Sequence, residues 1–195
     1  TRFRGYRVES TRLKQWSYFG GSYFVTICAR DRECFFGDIT GQEIVLSNIG
    51  QIAHNEWLHT PTHRPYVELD VWTVMPDHFH GILHLHNVAA NSTESEQQPA
   101  ANQFGPLKPG SLQAVINGYK GAVTRQSRKA GHGDFGWQDL YWDHVIRNER
   151  ELRAIREYII ANPAKGPNAS EGIPDSGCKR AAAPDATPLV SKRVV

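Results

Sequence analysis

The pattern of apolar and polar residues predicts four strands in this chain of 195 residues. The first strand is predicted at 23–28, where aromatic and β-branched residues follow one another. Two further apolar runs, at about 66–75 and 78–86, are separated by a proline-containing turn and predict a pair of strands. A short aromatic run at 141–146 predicts the fourth strand.

Helical spacing of apolar residues predicts three helices around these strands. The first begins after Ser47 or Asn48, either of which can cap it, and ends before Pro61. The second covers about 111–129, with a serine at its start as the cap.

The third helix begins after Asn148, which has Glu151 three residues later in a capping-box pattern. We expect Asn162 and Pro163 to end it, because proline does not continue a helix. The elements then follow the order β-α-β-β-α-β with one additional C-terminal helix. This order predicts an α+β, ferredoxin-like fold.

Composition predicts one central domain with two flanking segments. The central domain is expected at 16–166, after a basic N-terminal segment at 1–15. Segment 87–110 has few core-forming residues, which predicts a flexible insertion within the domain. Proline, alanine and serine dominate 167–195 without periodicity, which predicts a disordered tail.

Charge and cysteine content narrow the class of protein only slightly. A net charge of +2 and a pI near 8.5 permit nucleic-acid binding but do not indicate it. The cysteines show no Cys-x-x-Cys spacing, and a reducing cytosol suits them best. No signal peptide is visible, and no apolar run approaches the roughly 20 residues that span a bilayer. We therefore expect a cytoplasmic protein with no membrane partner.

Two histidines are the strongest candidates for metal ligands. His78 and His80 lie two apart in a predicted strand, so both imidazoles project from one face, while Phe79 turns to the core. Such a pair can bind a divalent cation, although solvated or core-capping histidines would give the same pattern. His84 and His86 keep the same parity, and His84 is a weaker candidate for a third ligand.

The last helix carries a candidate nucleophile. Tyr158 and Asn162 are four residues apart, so one helix face can present both a phenol and a metal-binding amide. Tyr158 could instead be an ordinary residue at the core margin, with Asn162 serving only as the helix end. Tyr119 is the alternative nucleophile, but Val123, four residues later, cannot bind a metal.

Three motifs in this order and at this spacing resemble the HUH single-tyrosine transposases, and specifically the REP-associated tyrosine transposases. The first motif is MPDHFHG at residues 75–81. The second is WQDLYWDHVIRNE at 137–149, and the third is YIIANP at 158–163. The resemblance covers roughly residues 15–166.

The resemblance implies a ferredoxin-like HUH nuclease that cuts and rejoins single-stranded DNA beside palindromic, REP-like hairpins. It implies that His78 and His80 bind the metal and that Tyr158, on the additional helix, is the nucleophile. Asn162 stands where the wider class has a glutamine ligand. Nitrogen and oxygen ligands together suit Mg²⁺ or Mn²⁺.

The implied reaction is attack by Tyr158 on a phosphodiester, giving a 5′-phosphotyrosine and a free 3′-hydroxyl. The covalent bond conserves the energy of the broken ester, so the strand can be rejoined without ATP. The resemblance further implies a bacterial protein near the nucleoid. A homodimer is an alternative to a monomer, because dimeric relatives exchange the nucleophile helix.

Other residues are candidates for contact with DNA. Trp137, Tyr141 and Trp142 could stack unpaired bases, although a core strand with a solvent-exposed edge would also contain them. Gln138 and Arg147 could hydrogen-bond base edges or phosphates. A basic run on the second helix could contact the DNA backbone or be a solvated helix face: Arg125, Arg128 and Lys129.

Two other classes of function are compatible with these residues. A domesticated, catalytically weak protein could bind hairpin DNA with the same fold. A zinc hydrolase could combine His78 and His80 with His84 or His86, and it would have no use for Tyr158 or for DNA.

Overall fold

A computed structural model of the chain describes residues 18–41, 43–86 and 108–165. The expected basic segment, the expected tail and all but the last three residues of the expected insertion lie outside these residues. Among the described residues, no helix combines the length and the apolar character needed to cross a membrane.

The described residues form six strands and four helices. In chain order, the strands are β1 (Gly21–Cys28), β2 (Gly37–Thr40), β3 (Glu43–Leu46), β4 (Val67–Val74), β5 (His78–Leu85) and β6 (Trp142–Ile146). The helices are α1 (Asn48–Leu58), α2 (Thr60–His63), α3 (Leu112–Lys129) and α4 (Glu149–Lys165).

The central sheet has four strands in the order β4-β5-β1-β6, and all neighbouring strands are antiparallel. Each of the four predicted strands is therefore present, and two helical connections cross the sheet between them. This is the ferredoxin-like arrangement that the order of elements predicted, with α4 as the additional helix.

Side-chain caps set the starts of the three long helices. The Ser47 hydroxyl accepts a hydrogen bond from the amide of Gly50, so Ser47 caps α1 and Asn48 is its first residue. Ser111 caps α3 in the same way. At α4, the Asn148 side chain accepts from the amide of Glu151 at 2.9 Å, which is the first bond of the predicted capping box, while the Glu151 carboxylate accepts from the amide of Arg147.

One expected element boundary was wrong, and one pair of strands was missed. Helix α4 continues to Lys165, so Asn162 and Pro163 do not end it. A proline in the last turn removes only one backbone hydrogen bond, and the helix tolerates that loss near its end. The hairpin β2–β3 was not predicted, because four-residue strands are too short to show a period.

Successive side chains of the central strands point to opposite faces of the sheet, so the core has two layers. On one face, Phe79 packs against Trp57 of α1 and Tyr119 of α3. On the other face, a smaller apolar cluster lies beneath α4 and comprises Phe24, Ile82, Ile146, Leu152 and Ile159. The histidines of β5 alternate with Phe79, so they share the face that α4 covers.

Candidate active site

His78 and His80 converge at the start of β5. Their Nε2 atoms are 3.0 Å apart, and their ring centroids are 4.5 Å apart. Both rings therefore project from one face of the sheet, as the alternation predicted.

The other ring nitrogen of each histidine is held by a neighbouring side chain. His78 Nδ1 lies 2.5 Å from Asp77 Oδ1, and His80 Nδ1 lies 2.9 Å from Thr26 Oγ1. The Asp77 carboxylate accepts at Nδ1 of His78, which favours the tautomer whose Nε2 lone pair is free to bind a cation. Burial, followed by the positive charges of His78 and Arg32, lowers the pKa of His80 well below its ordinary value. Neutral imidazole is the form that ligates metals.

An arginine from outside the predicted motifs supports this pair. Arg32 Nε lies 2.9 Å from Asp77 Oδ2, and its Nη1 donates to the Cys28 sulfur at 3.0 Å. Asp31 and Arg32 have φ values of 53° and 58°, a left-handed conformation that is uncommon for residues other than glycine. The sequence analysis missed Arg32 because no local pattern links it to a turn 45 residues away.

Helix α4 brings Tyr158 to the histidines. The Tyr158 ring centroid is 5.6 Å from that of His80 and 6.1 Å from that of Phe24. The tyrosine and the histidines belong to one chain, so this juxtaposition does not require a second copy.

Asn162 lies one turn after Tyr158 and is buried, and its Nδ2 has no hydrogen-bond partner among the described residues. The described residues contain no group of three histidine, cysteine, aspartate or glutamate side chains able to hold a metal. A cation bound by His78 and His80 would therefore need a ligand of another type. Asn162 carries an amide oxygen, a ligand type of hard divalent ions, one helical turn after Tyr158.

His84 is occupied by other contacts. Its Nδ1 lies 2.6 Å from Ser22 Oγ, and its Nε2 lies 3.1 Å from Asp70 Oδ2. His86 is exposed and pairs with Glu68. Both histidines are thus engaged away from the Nε2 pair, which argues against the zinc hydrolase interpretation.

Asp70 also joins α4 to the sheet. Arg156 donates to both Asp70 oxygens, at 2.7 to 3.1 Å, two residues before Tyr158 in the chain. The register of β4 shifts between Leu69 and Trp72, and Asp70 lies inside this irregularity. We call the contact between Asp70 and Arg156 the α4 clasp. No sequence pattern indicated it.

Tyr119, the alternative nucleophile, lies on the opposite face of the sheet. Its side chain is buried, and its hydroxyl donates to the Ala53 carbonyl at 3.1 Å. Burial, together with the negative charge of Glu56, raises its pKa well above the ordinary value. Both effects make it a poor nucleophile.

The predicted DNA-contacting residues are not gathered in one place. Trp137 is half-buried against the core on the α3 side, and its indole donates to the Lys120 carbonyl. Tyr141 packs against the same core, while Gln138 and Arg147 are exposed. The basic run of α3 is exposed in the helical layer across the sheet from the histidine pair: Arg125, Arg128 and Lys129.

Comparison with known proteins identifies relatives over most of the chain, although no family model matches it. A Haemophilus influenzae protein described as uncharacterized is 34% identical over 158 residues, covering 80% of this chain and 87% of that protein. The REP-associated tyrosine transposase of Escherichia coli K12 is 24% identical over 146 residues, covering 75% of this chain and 68% of that protein.

A solved structure of a REP-associated tyrosine transposase bound to a REP hairpin aligns with a TM-score of 0.53 and 22% identity. The alignment covers 80% of this chain and 74% of the transposase. This similarity shows a common fold. The chain therefore belongs to one family with the Haemophilus influenzae protein, and its resemblance to the REP-associated tyrosine transposases, predicted from three motifs, is confirmed.

Proposed function

We propose that this protein is a transposase-type enzyme that nicks single-stranded DNA beside palindromic, REP-like hairpins and transfers the cut strand through Tyr158. The observation that carries the proposal is the contact of Tyr158 with His80, whose Nε2 lies 3.0 Å from that of His78. The names of the two transposase relatives, one of them bound to a REP hairpin, support hairpin DNA as the partner.

The proposed cofactor is Mg²⁺ or Mn²⁺. His78 and His80 would hold it through Nε2, and Asn162 through its amide oxygen. A cation at this position supplies Lewis acidity to the phosphodiester and offsets the negative charge that develops during attack. The donor set fits, since both Nδ1 atoms already have partners and the two Nε2 atoms converge to 3.0 Å.

The protein's own side chains supply the nucleophile and orient the imidazoles. Tyr158 Oη forms a bond to phosphorus and loses its proton, while the bond from phosphorus to the 3′ oxygen breaks. The leaving oxygen takes the electron pair and a proton and becomes a 3′-hydroxyl, and the 5′ phosphate stays on Tyr158. Attack by a 3′-hydroxyl on this ester reverses the step without an external energy source. Asp77 and Thr26 keep the imidazoles oriented throughout.

The test is incubation with a labelled DNA hairpin that carries single-stranded flanks, in Mg²⁺, in Mn²⁺ and in a chelator. We expect a covalent protein–DNA band with either metal, abolished by Tyr158→Phe and by the chelator. Tyr119→Phe is the matched control, because it removes a phenol hydroxyl on the opposite face of the sheet.

The outcomes separate the classes of function. A band that survives Tyr158→Phe and disappears with Tyr119→Phe would move the nucleophile and keep the enzyme class. Tight hairpin binding with no covalent band in either metal would favour the domesticated DNA-binding protein.

A further inference from the structure

We propose that Trp142 forms a stacking subsite for an unpaired base close to the phosphate that Tyr158 attacks. The inference rests on the proposed function and adds to it a defined contact with the single-stranded flank. The occupant is a base of the DNA strand, and the contact is independent of which base it is, since every base has a π-face.

Strand register places Trp142 beside the candidate active site. Thr26 of β1 faces His80 of β5 on one side and Trp142 of β6 on the other. Residues opposite one another in antiparallel strands share a face, so these three side chains form one row across the sheet. Two strand spacings, roughly 10 Å, separate Trp142 from His80 along this row. That span is within reach of a nucleotide next to the attacked phosphate.

Phe24 connects the same groups through direct ring contacts. Its centroid is 5.5 Å from Trp142, 5.3 Å from His80 and 6.1 Å from Tyr158. Trp142 is nevertheless 45% exposed, although it is a large apolar side chain on an edge strand of the sheet. Its ring is therefore accessible to a ligand beside the candidate active site.

The tryptophan ring is also held in a fixed orientation. His144 stacks on one face of Trp142, with centroids 5.8 Å apart and an angle of 8° between the rings. His144 Nε2 lies 2.6 Å from Glu151 Oε1, in the first turn of the helix that carries Tyr158. Phe24 contacts the same ring edge-on, at 5.5 Å and 75°, and 45% of Trp142 remains exposed.

Trp142 lies at the end of the sheet where the histidine pair is found. The start of β6 and the start of β5 both pair with the last residues of β1, so Trp142 and His78 are at the same sheet end. A base stacked on Trp142 opposite His144 would extend this aromatic pair by one ring. Ring pairs in this offset-stacked range are favourable.

Equilibrium binding in the Tyr158→Phe background tests this subsite without requiring cleavage. The probe is a fluorescent DNA hairpin with single-stranded flanks, compared with a series in which one flank position at a time is abasic. With Trp142 intact, we expect one or two abasic positions to weaken binding about 5- to 150-fold, the range for a stacked base. With Trp142→Ala added, intact and abasic probes at those positions should bind equally. Trp142→Phe should restore the difference.

Ile160→Ala is the matched control, because Ile160 is an apolar side chain with the same 45% exposure on α4. Its abasic profile, meaning the affinities for the series of abasic probes, should equal that of the parent protein. Thermal unfolding of each variant reports whether the fold is intact.

The outcomes test the stacking subsite separately from the proposed nuclease activity. An abasic profile that Trp142→Ala leaves unchanged would overturn the subsite, even if the covalent band forms normally. Loss of the difference between intact and abasic probes in Trp142→Ala would support the subsite, even if the wild type forms no covalent band. Absence of hairpin binding by every variant would overturn both proposals.

Discussion

Replacement of Arg156 by methionine should loosen the helix that carries Tyr158. In the α4 clasp, Arg156 Nε donates to Asp70 Oδ1 at 3.1 Å and to Oδ2 at 3.0 Å, and Nη2 donates to Oδ2 at 2.7 Å. The Asp70 side chain is 11% exposed and that of Arg156 is 39% exposed. Methionine retains the apolar length of arginine and removes only the charged donors.

The size of the effect follows from these contacts. A hydrogen bond to a charged group contributes about 1.5–3 kcal/mol when well buried, and an exposed ion pair only about 0.2–1 kcal/mol. The clasp lies between these limits, because Arg156 is partly solvated and Asp70 keeps hydrogen bonds from His84 and the amide of Val71. We expect Arg156→Met to lower the free energy of unfolding by roughly 1–2 kcal/mol, which corresponds to a fall in Tm of about 2–8 °C.

The effect on activity should be larger than this loss of stability. Tyr158 lies two residues after Arg156, and a shift of the nucleophile of about 1 Å can cost up to 10²-fold in rate. We expect the single-turnover rate of the covalent band to fall by about tenfold or more, measured well below the Tm.

Arg153→Met is the control for both measurements. Arg153 is on the same helix but exposed, and its guanidinium contacts only the Glu149 carbonyl, at 3.4 Å, among the hydrogen bonds described. A change there should stay within about 0.5 kcal/mol. Equal Tm values and equal rates for Arg156→Met and Arg153→Met would refute the role of the clasp.

Three further predictions concern single side chains. Burial alone would raise the pKa of Asp70, but hydrogen bonds from Arg156 and His84 hold it below its ordinary value. The associated stability is fully present above the unfolded pKa of about 3.9 and is lost as the pH falls through the lower folded pKa. In denaturant titrations, Asp70→Asn should therefore cost stability at pH 7, and this cost should shrink as the pH falls from about 3.9 through the folded pKa. Tyr119→Phe should lower the free energy of unfolding in urea by about 1 kcal/mol and leave the covalent band intact, because only a hydrogen bond to a backbone carbonyl is lost. Asp77→Asn should weaken Mn²⁺ binding about 10- to 100-fold in calorimetry, because Asp77 orients one imidazole; unchanged affinity would contradict that role.

Much of the fold could be predicted because its strands and helices are encoded in local sequence patterns. The alternation around Phe79 gave a strand and its buried face, and caps at Ser111 and Asn148 marked two helix starts. Pro163 misled the prediction of the last boundary, because a sequence motif does not show how much helix remains beyond it.

Within the candidate site, the relations between residues close in sequence were predictable. His78 and His80 are two apart in a strand, so the sequence alone determined that their rings share a face. A four-residue interval likewise put Tyr158 and Asn162 on one face of a helix. Local geometry fixes such relations, and they hold wherever the element is placed.

Only the tertiary structure decided which elements meet. Packing of α4 on the sheet put Tyr158 against His80 and left Tyr119 buried on the other side. Strand order set Trp142 in line with His80, and packing of α4 on the sheet brought Arg156 to Asp70. These contacts join residues 54 to 116 positions apart. They follow from the burial of whole surfaces rather than from any local pattern.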